Sequence, residues 1–344
     1  MSADFIEYGY IAYLLIMIVH QIFKSISLII FMLPENVKKV LKKQHYALVG
    51  EHSAVEICRY TKYSLLDKDV CYKQKFYGIN SHRCCQMTPS VAWCQHKCVF
   101  CWRAIEYTLG DKIKGKIDTP EKIVDECIKA QRKQLSGFGG NSKVNRKKLK
   151  EAQEPKHFAI SLAGEPTIYP KISELIKELK KRKITSFLVT NGMLPEVLAK
   201  MEMPTQLYVS VDAPNEKIYK KIDRPVTGKW SNLLKTLKLL KKLKKKTRTV
   251  LRLTLVRNIN ITDAKDYAKL IKMAEPMFVE VKGYVAIGFS RARLGVAFMP
   301  LHSEVKKFAM EIGKYCGYKI VDEKKNSRVV LLMKKDRKDR IMKF

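Results

Sequence analysis

A regular alternation of apolar runs and lysine-rich amphipathic stretches constrains the fold of this 344-residue chain most strongly. Six of the apolar runs have the length of strands, and their successive apolar residues are typical of strands covered on both faces. The predicted strands are Met87 to Trp93, His157 to Leu162, Thr185 to Val189, Gln206 to Val211, Val250 to Val256 and Phe278 to Ala286. Because helical patterns separate them, we predict an α/β fold around a partial (β/α)6 barrel of the TIM type. The loops after the carboxyl ends of its strands are then the expected active site.

The stretches outside the strands lead to contrasting predictions. A helix is predicted over Thr119 to Leu135, with Thr119 as N-cap and Pro120 at the first helical position. Ser136 to Pro155 is predicted to be a flexible, basic loop that could contact RNA. Residues 58–85 show little periodicity, so we expect an irregular segment that needs a bound group to hold it together.

The pattern divides the chain into four segments. They are a hydrophobic N-terminal extension (1–31), an N-terminal segment with several cysteines (32–85), the barrel (86–286) and a small C-terminal extension (287–344). Residues 10–31 are just long enough to span a bilayer, but His20, Gln21 and Lys24 lie in their middle, where polar groups are costly. We therefore prefer a start codon assigned upstream of Met32, with a membrane anchor as the alternative.

A large excess of basic residues indicates a polyanionic partner. The formal charge is +34, from 67 Lys and Arg against 33 Asp and Glu. Adaptation to heat enriches Glu together with Lys, so it does not explain this imbalance. RNA or DNA does, because basic side chains neutralise backbone phosphates. Lys177 to Lys183, Lys241 to Lys246 and Lys334 to Lys343 are the candidate contacts, although each run taken alone is better explained as a solvated helix face.

Most of the nine cysteines lie between positions 58 and 101, which favours metal binding in a reducing cytoplasm over disulfides. Cys94, Cys98 and Cys101 have the spacing C-x3-C-x2-C directly after the first predicted strand. Three thiolates on one loop can hold three corners of a [4Fe–4S] cluster and leave one iron open to a small bidentate ligand. A structural zinc site is the alternative, but only the Cys98/Cys101 half has the usual zinc spacing. With Phe100 before the third cysteine, the loop resembles that of radical S-adenosylmethionine enzymes.

A second set of cysteines lies on the segment without periodicity. Cys58, Cys71 and Cys84 are separated by twelve residues each time. We predict a second cluster on these thiols, with zinc as the main rival. Cys85 could replace Cys84 as the third ligand, and the equal spacing favours Cys84. The two remaining cysteines are expected in the core: Cys127 and Cys316.

Polar groups at the ends of successive predicted strands are candidates for binding S-adenosylmethionine. Leu162 to Pro166 looks like the Gly-Gly-Glu-Pro motif that grips the methionyl amino group, with Ala163 in place of the first glycine. Similar short motifs alone would indicate only turns, and their repeated placement favours a cofactor site. The predicted contacts are Gly164, Glu165, Asn191, Ser210 and Asp212.

From about Leu33 to Met333 the chain resembles the tRNA 4-demethylwyosine synthases, which are radical S-adenosylmethionine enzymes. The two cysteine sets carry the resemblance together with five segments, RCCQMTPSVAWCQHKCVFCWR, ISLAGEPTIYP, LVTNGM, YVSVDAP and VKGYVAIGFSRARL. It implies condensation of pyruvate with N1-methylguanosine at position 37 of tRNA(Phe), a carbon–carbon lyase reaction. The cluster on the C-x3-C-x2-C loop would cleave S-adenosylmethionine, and the 5′-deoxyadenosyl radical would take hydrogen from the N1-methyl group.

The resemblance has further implications. A second [4Fe–4S] cluster would position pyruvate, with Lys73 as Schiff-base partner. No segment is large enough for the flavodoxin-like domain of eukaryotic relatives, so an external donor of the ferredoxin or flavodoxin type is implied, in the cytoplasm and without a membrane partner. Trp102, Phe289 or Tyr284 could stack on the guanine if exposed. The alternatives are another radical RNA-modifying enzyme, such as a methyltransferase or methylthiotransferase, and a zinc-stapled RNA-binding protein.

Overall fold

One continuous sheet organises the chain in the computed structural model, which describes residues 13–21 and 33–344. Its strand order is β1-β2-β3-β4-β5-β6-β7-β8-β10-β9. The strands are β1 (Ala47–Val49), β2 (Ser53–Glu56), β3 (Cys84–Thr88), β4 (His157–Ile160), β5 (Thr185–Thr190), β6 (Gln206–Ser210), β7 (Arg248–Leu255), β8 (Phe278–Gly283), β9 (Lys319–Lys324) and β10 (Val329–Met333).

The six strands β3 to β8 are parallel and adjacent in chain order, which confirms the predicted α/β partial barrel. Antiparallel pairs extend both edges, with β1 and β2 before β3 and with β10 and β9 after β8. The first barrel strand is Cys84–Thr88, so the predicted strand Met87 to Trp93 was wrong in its position. Its second half is buried but turns back on itself, with the Trp93 amide donating to the Ser90 carbonyl at 3.1 Å.

Helices connect the strands and cover the sheet. They are Glu35–Lys43, Arg59–Leu65, Tyr72–Tyr77, Pro120–Leu135, Arg146–Ala152, Ile172–Lys181, Pro195–Lys200, Glu216–Ile222, Trp230–Leu243, Ala264–Ala274, Ser290–Arg293 and His302–Cys316. Thr119 accepts from the Lys122 amide at 3.3 Å, which confirms it as an N-cap. The flexible loop predicted over 136–155 was wrong, because Arg146–Ala152 is helical and Asn145 caps it.

Most of the predicted membrane-length segment, residues 10–31, lies outside the described residues. Residues 13–21 are helical and exposed. Among the described helices, none combines the length and the apolar character that a bilayer span requires.

The interior of the barrel is filled by the helix Tyr72–Tyr77, which precedes every barrel strand in the chain. Tyr72 and Tyr77 pack with aromatic and aliphatic residues of five strands, and both hydroxyls donate to Glu280 on β8, at 3.0 and 2.7 Å. The segment 58–85 was therefore wrongly predicted to be irregular. It contains two short helices, and the second packs into a hydrophobic cluster inside the barrel.

The C-terminal residues of the chain contact the C-terminal end of this helix. The Met342 amide donates to the Tyr77 carbonyl at 2.9 Å, and the Arg340 guanidinium donates to the Phe76 carbonyl at 3.1 Å. Both contacts satisfy carbonyls at the helix C-terminus that have no partner within the helix.

Candidate active site

The C-x3-C-x2-C loop lies where the sequence places it, after β3 at the carboxyl end of the parallel strands. Cys94, Cys98 and Cys101 are all half-buried free thiols. The Cys94 amide donates to the Gly110 carbonyl at 2.9 Å, and the Cys101 amide donates to the Cys98 carbonyl at 3.1 Å. The charges of Cys94 and Cys101 both act on the Cys98 thiol, which indicates that the three sulfurs are near one another.

Burial makes the charged form of these thiols costly. It raises the pKa of Cys94 to about 11, while the charge of Arg103 opposes that rise. Burial also raises the pKa of Cys98, with a further contribution from Asp223, which accepts from the Cys98 thiol at 3.3 Å. A cation is therefore needed to hold these sulfurs as thiolates, as iron in a cluster does.

Arg103 shows that the loop fits such a group. Its side chain is 3 % exposed, and Nη2 donates to the His96 carbonyl at 3.3 Å. Within the described residues, its Nε and Nη1 are buried without a hydrogen-bond partner. Three sulfurs beside an unsatisfied buried cation fit the anionic, sulfide-bearing [4Fe–4S] cluster.

His96, inside the loop, is buried. Its ring shares a hydrogen bond with the Tyr219 hydroxyl at 2.8 Å. Among the described residues, single ligand atoms of His96, Cys98 and Asp223 lie within 4.8 Å of one another, as the ligands of a zinc ion could. Because this trio uses one cysteine of the three, it explains the loop less completely than a cluster does.

The loop after β4 approaches the cysteine loop closely at Gly164. Its φ is +66°, and a Cβ atom there would lie 1.8 Å from the Ser90 carbonyl oxygen. Only glycine combines this backbone conformation with this approach. Ala163 replaces the first glycine of the motif, but the close approach requires the second glycine, Gly164, which is present.

Glu165 joins the ends of two neighbouring strands. Its Oε1 accepts from the Thr167 amide at 3.1 Å, the Thr167 hydroxyl at 2.6 Å and the Thr190 hydroxyl at 2.7 Å. Its Oε2 accepts from the Asn191 amide at 2.7 Å. Burial raises the pKa of the Glu165 carboxyl, and these donors oppose the rise. The carboxylate thus holds the loops after β4 and β5 in one arrangement.

Asn191 extends this connection to the cysteine loop. Its Nδ2 donates to Gln95 Oε1 at 3.0 Å and lies 3.9 Å from Cys94 Sγ. The structure therefore brings Glu165, Asn191 and the C-x3-C-x2-C loop together through direct contacts.

Ser210 and Asp212 follow on β6, the next strand of the barrel. The Ser210 hydroxyl accepts from Arg252 Nη2 at 3.3 Å, and Asp212 Oδ1 accepts from the Thr254 amide at 2.7 Å. Burial raises the pKa of Asp212 to about 6, and the charge of Arg252 opposes that rise. All five predicted cofactor contacts therefore lie at the carboxyl ends of β4, β5 and β6.

The second cysteine set is brought together by three different elements. Cys58 and Cys71 each directly precede a helix, and Cys84 is the first residue of β3. Burial raises the pKa of Cys84 to about 12, and the charges of Cys58 and Cys71 add to it. Cys85 faces the opposite side of the strand, in the main core near Cys127. The structure therefore places Cys84, and not Cys85, with the other two thiols.

Lys73 lies beside this set, inside the barrel. It is 8 % exposed, and its Nζ is 4.6 Å from the ring centroid of Tyr208 and 5.3 Å from that of Phe187. Its charge lowers the pKa values of both Cys71 and Cys84, which shows that the amine is close to their sulfurs.

Three charged residues of this interior were missed by sequence reasoning: Arg252, Glu280 and Lys282. Lys282 Nζ is 5.3 Å from the ring centroid of Tyr72, and burial, together with the charge of Arg252, lowers its pKa. The charge of Arg252 also opposes the rise in the pKa of Asp212, so Arg252 lies between the two cysteine sets. The sequence signal that could have found them is the presence of charged residues within two otherwise apolar strands, β7 and β8.

The remaining aromatic and cysteine predictions have mixed outcomes. Tyr284 is buried and donates to the Ser290 carbonyl at 3.0 Å, so it was wrong as an exposed stacking residue. Trp102 is half-buried, with its indole N–H on the Leu162 carbonyl at 2.9 Å. Both predicted core cysteines are buried, as expected: Cys127 and Cys316.

Comparison with protein families agrees with this geometry. Residues 88–271 match the radical SAM superfamily, and residues 273–334 match the wyosine base formation family. The S-adenosyl-L-methionine-dependent tRNA 4-demethylwyosine synthase of Pyrococcus abyssi is 50 % identical over 310 residues, covering 88 % of this chain and 90 % of that protein. The synthase of Mus musculus is 42 % identical, covering 88 % of this chain and 42 % of that protein.

Two solved structures are also similar. A structure of TYW1 with a lysine-pyruvate adduct bound has a TM-score of 0.81 and 39 % identity, covering 90 % of this chain and all of that one. A crystal structure of archaeal TYW1 has a TM-score of 0.73 and 38 % identity, covering 89 % and 98 % of the two chains. The chain therefore belongs to the radical SAM superfamily and, within it, to the family of tRNA 4-demethylwyosine synthases.

Proposed function

We propose that this protein forms 4-demethylwyosine at position 37 of tRNA(Phe) by condensing pyruvate with N1-methylguanosine, as a carbon–carbon lyase. The observation that carries the proposal is that one barrel encloses two separate thiol sets, with the buried amine of Lys73 beside the second. A radical SAM methyltransferase has no need of such an amine. The relatives named as 4-demethylwyosine synthases and the TYW1 structure with a lysine-pyruvate adduct support the same assignment.

The cofactors are S-adenosylmethionine and two [4Fe–4S] clusters, the first on Cys94, Cys98 and Cys101. When bound, that cluster supplies the electron that cleaves S-adenosylmethionine to methionine and a 5′-deoxyadenosyl radical, which takes hydrogen from the N1-methyl group. Glu165 and Asn191 fix the loops around the open side of the site through the contacts described above. With Gly164, Ser210 and Asp212, they are the proposed contacts of the cofactor.

The second cluster is proposed on Cys58, Cys71 and Cys84, with pyruvate bound beside it. Lys73 pairs with no carboxylate in the described part of the chain, so its amine is available to condense with the ketone of pyruvate. Lys282 and Arg252 supply cations for the pyruvate carboxylate. This arrangement places the two-carbon donor and the radical source within one barrel.

The proposed macromolecular partner is tRNA. Two of the predicted basic runs line one open cleft of about 600 Å³, to which they contribute Lys180, Lys183, Lys244, Lys245 and Lys246. The cleft lies at the amino ends of β5, β6 and β7, opposite the cysteine loop. We propose that it contacts phosphates of the tRNA distant from the modified base. The electron donor is proposed to be an external ferredoxin or flavodoxin, the location the cytoplasm, and no membrane partner is involved.

The decisive assay incubates anaerobically reconstituted protein with N1-methylguanosine-bearing tRNA, S-adenosylmethionine, reductant and ¹³C-labelled pyruvate. We expect a tricyclic nucleoside that retains two pyruvate carbons and has lost the carboxyl carbon, measured by nucleoside mass spectrometry. tRNA with unmethylated guanosine is the control and should give no product. A product labelled from the methyl group of S-adenosylmethionine would instead support a methyltransferase, and absence of any pyruvate-dependent product would refute the proposal.

Metal content tests the two clusters separately. We expect about eight irons per chain, falling to about four in the double variant Cys58→Ala, Cys71→Ala. The control variant Cys127→Ala removes a buried core thiol and should keep about eight. Stoichiometric zinc without iron would favour the zinc-stapled RNA-binding alternative.

A further inference from the structure

Arg103 is buried two residues after the C-x3-C-x2-C loop, and within the described residues its Nε and Nη1 have no hydrogen-bond partner. We propose that Arg103 donates hydrogen bonds to the sulfur atoms of the cluster held by Cys94, Cys98 and Cys101, and thereby makes that cluster easier to reduce. The inference rests on the cluster ligands of the proposed function, and concerns a residue outside the ligand motif.

Arg103 is held both at its guanidinium and at its backbone carbonyl. Nη2 donates to the His96 carbonyl at 3.3 Å, and the His96 ring is in turn held by the Tyr219 hydroxyl. The Arg103 carbonyl accepts from Arg293 Nη2 at 3.1 Å. A guanidinium held this firmly, at 3 % exposure, cannot turn its Nε and Nη1 donors towards water.

The guanidinium of Arg103 lies near the sulfurs of the loop. Its Nη2 donates to the carbonyl of His96 inside the loop, and the charges of Cys94, Cys98 and Cys101 all act on it. No carboxylate of the described residues forms an ion pair with it. The sulfur atoms of the loop are therefore the partners that we assign to these donors, and a guanidinium remains protonated beside them.

A cation and hydrogen bonds at the sulfur atoms favour the reduced cluster, because reduction adds a negative charge. Arg103 therefore raises the reduction potential of the first cluster. This effect assists electron transfer from the external donor.

The first test is an EPR-monitored redox titration of reconstituted protein, without tRNA or pyruvate. In Arg103→Met, the equilibrium constant for reduction of the first cluster should fall at least tenfold, which for one electron is a potential about 59 mV more negative. Arg103→Lys keeps the charge and should fall between Arg103→Met and wild type. The control Arg146→Met removes the same charge from an exposed position and should leave the potential unchanged.

The second test uses wild-type protein, so that it also decides the outcome if a variant loses its cluster. Protein with ¹⁵N-labelled arginine guanidinium should show ¹⁵N hyperfine coupling to the reduced first cluster, and Arg103→Lys should abolish it. A loaded cluster without such coupling, or loaded variants with unchanged potential, would overturn the inference alone. Wild-type protein that assembles no [4Fe–4S] cluster would instead refute the proposed ligands.

Discussion

At Gly164 both the positive φ and the nearby Ser90 carbonyl oxygen exclude a Cβ atom. Any side chain there must move the loop that carries Glu165 away from the cysteine loop. The sequence predicts this position through its motif, because the Gly-Glu-Pro order is visible in the letters. It does not predict that the Glu165 carboxylate accepts four protein hydrogen bonds, since two of the donors come from Thr190 and Asn191 at the end of the neighbouring strand.

Gly164→Ala should lower the free energy of unfolding by roughly 3 kcal/mol and abolish binding of S-adenosylmethionine, because strain and a backbone clash add. Thermal unfolding and equilibrium binding measure the two effects. Gly137→Ala is the matched control, since no atom lies within 4 Å of its added Cβ. Normal S-adenosylmethionine binding by Gly164→Ala would contradict the role of this loop.

Lys73→Met should eliminate a covalent pyruvate adduct trapped with borohydride and detected by intact-protein mass spectrometry. The same result is expected for Lys73→Arg, because a guanidinium does not form the Schiff base. The control Lys75→Met removes an exposed lysine of the same helix that pairs with Asp322, and should keep the adduct. An adduct that survives in Lys73→Met would assign the amine elsewhere, with Lys282 the next candidate.

Among the secondary-structure elements, long periodic segments were predictable and short ones were not. All six barrel strands appear in the predicted order, because each is an apolar run between helical patterns. The helices Arg59–Leu65 and Tyr72–Tyr77 have 7 and 6 residues, too few for a helical period to show. Arg252 and Lys282 were missed because a charge within a buried strand looks like an interruption until its neighbours inside the barrel are known.

The short helix Ser290–Arg293 supports the cysteine loop from the C-terminal extension. Arg293 donates to the backbone carbonyls of Val99, Cys101 and Arg103. Arg293→Met should lower the free energy of unfolding by about 2 kcal/mol and reduce iron retained at the first site, because these carbonyls lose a charged donor. Arg291→Met, on the exposed side of the same helix, is the control. Equal iron contents and melting temperatures in the two variants would contradict this role.

At the scale of the whole molecule, the net charge predicts a polyanionic partner. Where the basic side chains meet on the surface is known only from the fold. Basic runs that are about 60 residues apart in the sequence meet at one cleft because the helices before β5 and β7 end at the same edge of the sheet. Within the described residues, Lys183, Lys245 and Lys246 are exposed and form no ion pair.

Changing Lys183, Lys245 and Lys246 together to Gln should weaken binding of full-length tRNA. In a plot of the logarithm of the binding constant against the logarithm of the salt concentration, the slope should become less negative by about one for each phosphate that the protein no longer neutralises. Binding of an isolated anticodon stem-loop should not change, because the cleft is opposite the cysteine loop. The control changes the exposed Lys129, Lys133 and Lys265 to Gln. Equal tRNA affinities of the two triple variants, measured across salt concentrations, would exclude the cleft as a tRNA-binding surface.

The helix Tyr72–Tyr77 occupies a cavity whose walls are made later in the chain. During synthesis it leaves the ribosome before β8 and β10, so Phe76 and the two tyrosines have no permanent partners until the C-terminal third of the chain has emerged. The thiol of Cys71 and the amine of Lys73 therefore reach their final surroundings last, although they are among the earliest residues made. We therefore expect the proposed second site to be complete only after the barrel has closed around it.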